Sequence, residues 1–112
     1  MTFNQAIEEI KKYYPIYQRA LDVVEIKVSK LLNLCNYYFI SLVSYNGTLI
    51  LTDIATTVEV FPDVTENEWI EICKKYNMSW NDWHIECEYT GIESLNNFIK
   101  LLDDIVKSFS KI

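Results

Sequence analysis

Tyr38-Phe39-Ile40-Ser41-Leu42-Val43-Ser44-Tyr45-Asn46-Gly47-Thr48-Leu49-Ile50-Leu51-Thr52 reads as two runs of strand-forming residues around Asn46-Gly47. A type I′ turn demands φ > 0 at both central residues, which Asn and Gly tolerate, so the pair predicts a two-residue hairpin. That turn length also sets the register: Tyr45 faces Thr48, Val43 faces Ile50, Leu42 faces Leu51 and Ile40 faces Asp53. Two unlike faces follow. Ile40, Leu42, Leu49 and Leu51 form an apolar face for the core. Ser41, Val43, Tyr45, Thr48, Ile50 and Thr52 form a mixed face, open to water or to a partner.

Upstream, Thr2 with Gln5 is a capping box, and Phe3, Ala6, Ile7, Ile10, Tyr13 and Tyr14 recur at helical spacing until Pro15. Residues 22–31 alternate, with Val24, Ile26 and Val28 on one side, which predicts a strand. Residues 33–36 are then a turn into the hairpin. Downstream, Val58-Glu59-Val60-Phe61 predicts a short strand closed by Pro62. Thr65 and Glu68 make a second capping box, opening a helix with Trp69, Ile72, Cys73 and Tyr76 on one stripe and a Glu71–Lys75 pair. Residues 77–82 read as loop. His84 to Tyr89 alternates, with Ile85, Cys87 and Tyr89 inward and His84, Glu86 and Glu88 outward. Thr90 and Glu93 make a third capping box for a helix to about Phe109. Its apolar stripe is Leu95, Phe98, Ile99, Leu102, Ile105, Val106 and Phe109, with Lys100–Asp104 and Asp103–Lys107 spaced to pair on the wet side. The expected fold is α+β in a single domain over residues 1–112: a mostly antiparallel sheet of four to five strands, with helices packed on one face.

Of 112 residues half are apolar, which excludes a disordered chain, and no run approaches the ~20 apolar residues of a membrane span. Met1-Thr2-Phe3-Asn4-Gln5 lacks the charged start of a secretion signal. Cys35, Cys73 and Cys87 are an odd, widely spaced set, expected as reduced thiols of a cytoplasmic protein. The net charge is −6. In residues 1–56 Glu8, Glu9, Asp22, Glu25 and Asp53 are balanced by Lys11, Lys12, Arg19, Lys27 and Lys30, so the whole excess lies in residues 57–112. Such a field disfavours nucleic acid and favours a basic protein partner.

Catalytic patterns are thin. His84 is the sole histidine. Beside Asp82, Glu86 and Glu88 it suits a solvated strand face better than a carboxylate–imidazole metal group. With glycine only at 47 and 91, neither a nucleophile elbow nor a Gly-rich phosphate loop can be built. Cys87, three residues beyond His84, falls on the opposite face of a strand. Restriction-type nucleases carry an acid on one strand and acid-x-Lys on the next. Glu25-Ile26-Lys27 matches that second element with Asp22 before it. A minimal metal-dependent nuclease would instead use Asp53, Glu59 and His84, although Phe61 stands where its lysine belongs. No cofactor is implied.

Aromatic residues say more. Trp80 and Trp83 lie in the polar stretch Asn77-Met78-Ser79-Trp80-Asn81-Asp82-Trp83, and Trp carries much of the energy of protein interfaces. Trp80, Asp82, Trp83, Glu86 and Glu88 are therefore the expected partner contacts. From about Tyr37 to Phe109, the Asn46-Gly47 hairpin, the segment LTDIATTVEVF, the helix and strand of ICKKYNMSWNDWHIECEY and a last helix resemble a bacterial and phage domain family without an assigned activity. In that family the hairpin leads into a Leu-Thr-Asp-Asp-Gly-like stretch; here Ile54-Ala55 stand in its place. The resemblance implies a small intracellular bacterial or phage protein, with Asp53 as a shared position. The leading expectation is a small acidic, non-enzymatic interaction domain of immunity or inhibitor type. The alternatives are the nuclease and a homodimer formed through the Val43/Ile50 face.

Overall fold

The computed structural model describes residues 1–28, 39–54 and 56–109. Ten elements follow one another: α1 Phe3–Lys11, β1 Ile16–Ala20, β2 Val23–Lys27, β3 Phe39–Tyr45, β4 Thr48–Thr52, α2 Thr56–Val60, α3 Glu66–Lys75, β5 Ser79–Asn81, β6 His84–Glu88 and α4 Ile92–Phe109. The fold is α+β, with an open antiparallel sheet of six strands in the order β1-β2-β3-β4-β6-β5, one strand more than the upper expectation.

The central hairpin has the register that its turn dictates, with Tyr45 opposite Thr48, Val43 opposite Ile50 and Leu42 opposite Leu51. Asn46 and Gly47 have φ of 50° and 81°. On the inner face Ile40, Leu42, Leu49 and Leu51 are buried, and they join Ala6 and Ile10 of α1, Trp69, Ile72 and Cys73 of α3, and Leu95, Phe98, Leu101, Leu102 and Ile105 of α4 in one core. Helices therefore gather on the apolar face, as the pattern predicts. Leu101 adds a buried position beyond the expected stripe.

Two capping boxes form as read: Thr2 with Gln5 and Thr65 with Glu68, each side chain accepting the other's backbone amide. The third does not. Ser94 Oγ instead accepts the Thr90 amide at 3.2 Å and donates to the Gly91 carbonyl at 2.6 Å, closing the approach to α4 without Glu93.

Three elements differ from the sequence reading. Within the strand expected at 22–31, whose residues 29–31 lie outside those described, β2 covers Val23–Lys27, and a preceding edge strand, β1, pairs with it through a turn at Leu21-Asp22. Four of the five β1 residues are exposed, so no alternation marks it. The expected turn at 33–36 lies outside the described residues. Val58–Phe61 is not a strand. The chain turns at Ile54 (φ 49°), Thr56 donates its amide to the Asp53 carbonyl, and α2 forms with Thr57 and Phe61 buried four residues apart. Local β-branching favoured a strand; burial at helical spacing prevailed. Residues 79–81, expected as loop, form β5 against β6.

The wet side of α4 is also re-paired. Asp103–Lys107 stands at 3.1 Å, but Asp104 turns to α3 and accepts from Lys75 Nζ at 2.8 Å, the Tyr76 hydroxyl at 2.7 Å and Ser108 Oγ at 3.0 Å. Lys75 is thus not the partner of Glu71, which sits 3.8 Å from Lys74. The Lys75 contact first, then Tyr76 and Ser108, holds the Asp104 carboxyl down at about 2. Among the described residues no helix is long and apolar enough to cross a membrane.

Candidate functional site

The β5–β6 hairpin grows out of the end of α3. Asn77 takes φ 57° just past the helix, the left-handed position where Asn is tolerated, and Met78 donates its amide back to the Cys73 carbonyl at 2.8 Å. Met78 is buried, so the chain is pinned before it enters β5. Trp80 then points inward. Its ring stacks on Trp69 at 6.2 Å and 9°, and its Nε1 donates to Glu66 Oε2 at 3.1 Å.

Asp82 and Trp83 make the two-residue turn, with φ of 51° and 64°. An L-residue in this region pays roughly 1–2 kcal/mol, and a bulky one is rarely found there. Trp83 packs edge-on to Trp80, with centroids 5.4 Å apart and planes at 70°, yet keeps 42% of its surface exposed. Three tryptophans therefore run from the core outward: Trp69 fully buried, Trp80 half-buried, Trp83 at the surface. Trp69 Nε1 is buried without a hydrogen-bond partner, so this indole is held by its ring contacts, including Phe109 edge-on at 5.5 Å.

Beside this turn lies a second apolar side chain in the left-handed region. Ile54 (φ 49°) is 50% exposed and directly follows Asp53. Asp53 is tied to β6 two residues beyond Trp83: its amide donates to the Ile85 carbonyl at 3.2 Å, and its Oδ1 accepts the Ile85 amide at 3.0 Å. Ile54 and Trp83 thus share one end of the sheet. Asp82 is exposed there, while Glu86 (near Asn81 Nδ2 at 3.4 Å) and Glu88 line the outer face of β6.

The expected contacts accordingly divide. Asp82 and Trp83 form the exposed turn, Glu86 and Glu88 lie further along β6 on its outer face, and Trp80 faces the core and belongs to the support beneath Trp83. Sequence reading missed Ile54, because nothing in Thr52-Asp53-Ile54 marks a positive φ.

The catalytic candidates are placed differently. Asp53 is buried at 1%, and its Oδ2 accepts the Thr57 amide at 3.3 Å, so this carboxylate joins β4, β6 and α2. Glu59 is exposed on α2, and His84 lies half-buried on the strand's outer side. Among the described residues no three histidine, cysteine or acidic side chains make a group able to hold a metal. Burial, then the charge of Asp53, pushes the Cys73 thiol up to about 11, and burial pushes Cys87 to about 12. Both stay protonated at neutral pH, which removes their nucleophilic form. Cys35 lies outside the described residues. Comparison with protein-family models, curated proteins and solved structures finds no match.

Proposed function

We propose that this chain is a non-enzymatic interaction domain of bacterial or phage origin, acting in the cytoplasm as an immunity- or inhibitor-type protein. Its contact is the Asp82-Trp83 turn with Ile54 beside it, flanked by Glu86 and Glu88, and its partner is a basic protein surface. One observation carries the reading: two apolar side chains, Trp83 and Ile54, are held out at one end of the sheet on left-handed backbone. Strained conformations persist only where the surrounding structure imposes them, and they gather at ligand contacts. A tryptophan fixed in place before binding loses little rotamer freedom on docking. Acidic neighbours speed encounter with a basic cleft.

The metal-dependent nuclease gains nothing from the geometry, since Asp53 already serves two backbone amides. The test is capture of a partner from the source cell with tagged protein, its identification by mass spectrometry, and titration of the purified pair. Trp83→Ala should weaken binding by about 30-fold or more, the loss expected at a central aromatic contact. Equal affinity for Trp83→Ala and Ile54→Ser would reject the reading. So would plasmid cleavage with magnesium that Asp53→Asn abolishes while its circular dichroism is unchanged.

A further inference from the structure

The sheet is open at both edges, and the two edges are built differently. At the β5 edge the outer strand is three residues long. At the β1 edge it is five, and Tyr17 to Ala20 are exposed. Lys27 donates its amide to the Pro15 carbonyl at 3.0 Å, so Pro15 and Lys27 are a hydrogen-bonded pair. Antiparallel pairs alternate. Tyr17–Glu25 is therefore the next such pair, and the amides and carbonyls of Ile16 and Gln18 turn away from β2. Among the described residues nothing bonds those four groups. Three large apolar side chains are exposed along the same edge: Tyr13 at 63%, just before the strand, Tyr17 at 43%, and Leu21 at 97%, just after the strand. Tyr13 and Leu21 stand equally far from Tyr17 along the chain, one on each side.

From this spacing we infer that β1 pairs edge to edge with β1 of a second copy of the chain, antiparallel, about a two-fold axis at Tyr17. Ile16 and Gln18 of each copy then exchange both backbone bonds with Gln18 and Ile16 of the other, and no edge group is left over. Tyr17 stands opposite the second copy's Tyr17 as a non-hydrogen-bonded pair, with Cα atoms about 4.5 Å apart. Phe39 is already edge-on to Tyr17 at 6.0 Å, so aromatic rings of both copies line the seam. The antiparallel sense also brings Leu21 of each copy toward Tyr13 of the other. Like charges do not meet: Arg19 falls opposite Pro15, and Glu25 holds it at 3.0 Å within its own chain.

The ends of β1 restrict the pairing to this register. Pro15 has no amide to offer at one end. At the other, a bulge interrupts the strand between Gln18 and Ala20, and the Gln18 side chain donates to the Ala20 carbonyl, which a register centred on Gln18 would need. The outcome is a closed pair and not a growing sheet. Since β5 and β6 lie at the far edge, the dimer carries one Trp83 turn at each end. The contact is small, below the ~1,200 Å² of standard interfaces, so the dimer should dissociate at about 0.1–1 mM.

Amide exchange by NMR on the whole chain, at about 20 µM and about 2 mM, reads the seam directly. The Ile16 and Gln18 amides should exchange about threefold more slowly at the higher concentration, and the Tyr17 amide, already paired with Glu25, should not change. Sedimentation equilibrium over the same range should show monomer and dimer and nothing larger. Tyr17→Lys sets like charges on the axis and should weaken the dimer about tenfold or more with unchanged circular dichroism. With oxidised glutathione, Tyr17→Cys should cross-link between copies about tenfold faster than the parent or than Arg19→Cys, whose thiols would lie about 13 Å apart along the strands. Ile50→Lys and Trp83→Ala should leave the dimer unchanged, because neither residue is on this edge. Monomer at every concentration overturns the inference. So does a dimer that Tyr17→Lys leaves intact, or one that Ile50→Lys or Trp83→Ala dissolves. Equal cross-linking at 17 and 19 overturns the register, and assembly beyond the dimer overturns the two-fold.

Discussion

Two hairpins in this molecule share a geometry and differ in what causes it. At 46–47 and at 82–83 both central residues sit at positive φ, with values between 50° and 81°. Asn46-Gly47 chooses that conformation locally: Asn tolerates it, Gly has no Cβ to resist it, and a side chain added at Gly47 would meet nothing within 4 Å. Asp82-Trp83 does not. No local preference puts tryptophan there, so the turn is imposed by what it joins: β5 pinned through Met78 and Trp80, and β6 pinned through Asp53. Residues that select their own backbone serve the fold. Residues held against preference, with an indole left in water, are where a function is to be sought.

The contrast breaks most visibly if the support is removed. Trp69→Ala deletes the wall on which Trp80 stacks and should cost about 3–5 kcal/mol in chemical denaturation. Hydrogen exchange on that variant should rise in β5–β6 far more than in β3–β4. Equal loss in both hairpins would mean that the second turn needs no special support. Gly47→Val tests the other side. Its Cβ meets nothing within 4 Å, yet a β-branched residue is forced to φ 81°, so about 1–2 kcal/mol should be lost from conformation.

Acid should divide the hairpins more gently. The Asp104 carboxyl, held at about 2 against an ordinary 3.8, gives α3 and α4 a tie that is whole above about pH 4 and lost as pH falls through 2. The sign is that of a depressed carboxylate: protonation favours the unfolded chain. Since α3 carries Trp69, tryptophan fluorescence should shift between about pH 4 and 2 before the β3–β4 amides lose protection. The loss is smaller than either mutation, because Asp104 lies near water that competes for its partners.

This division also marks what could be read from the sequence. The central hairpin, its register and its buried face were legible because turn chemistry and side-chain period agree there. So were α1, α3, α4 and the outward side of β6. β1 was hidden because an exposed edge strand shows no alternation. α2 was hidden because Thr57, Val58 and Val60 favour a strand, while the device that winds them into a helix, Asp53 accepting the Thr57 amide, is tertiary. Near the candidate site the outward side of Glu86 and Glu88 was legible from the strand alternation, and the exposure of Asp82 and Trp83 from the polar stretch around them. Trp80 pointed the wrong way, since one residue of register decides which of two nearby tryptophans faces the core, and a loop assignment has no register.

The finest test replaces Trp83 by glycine. Relief of the left-handed strain gains about 1–2 kcal/mol. Loss of the indole surface that is buried, together with the edge-on contact to Trp80, costs about 2–4 kcal/mol, and the looser unfolded chain about 0.4–1 more. Thermal unfolding should therefore place Trp83→Gly about 1–3 kcal/mol below the parent, still folded. If binding to the captured partner falls far more steeply than that, the indole is displayed for that contact and not for the fold. If stability drops by more than about 4 kcal/mol, Trp83 is itself what closes the turn. Its exposure would then be a by-product of packing, and the two hairpins would differ only in which residues hold them shut.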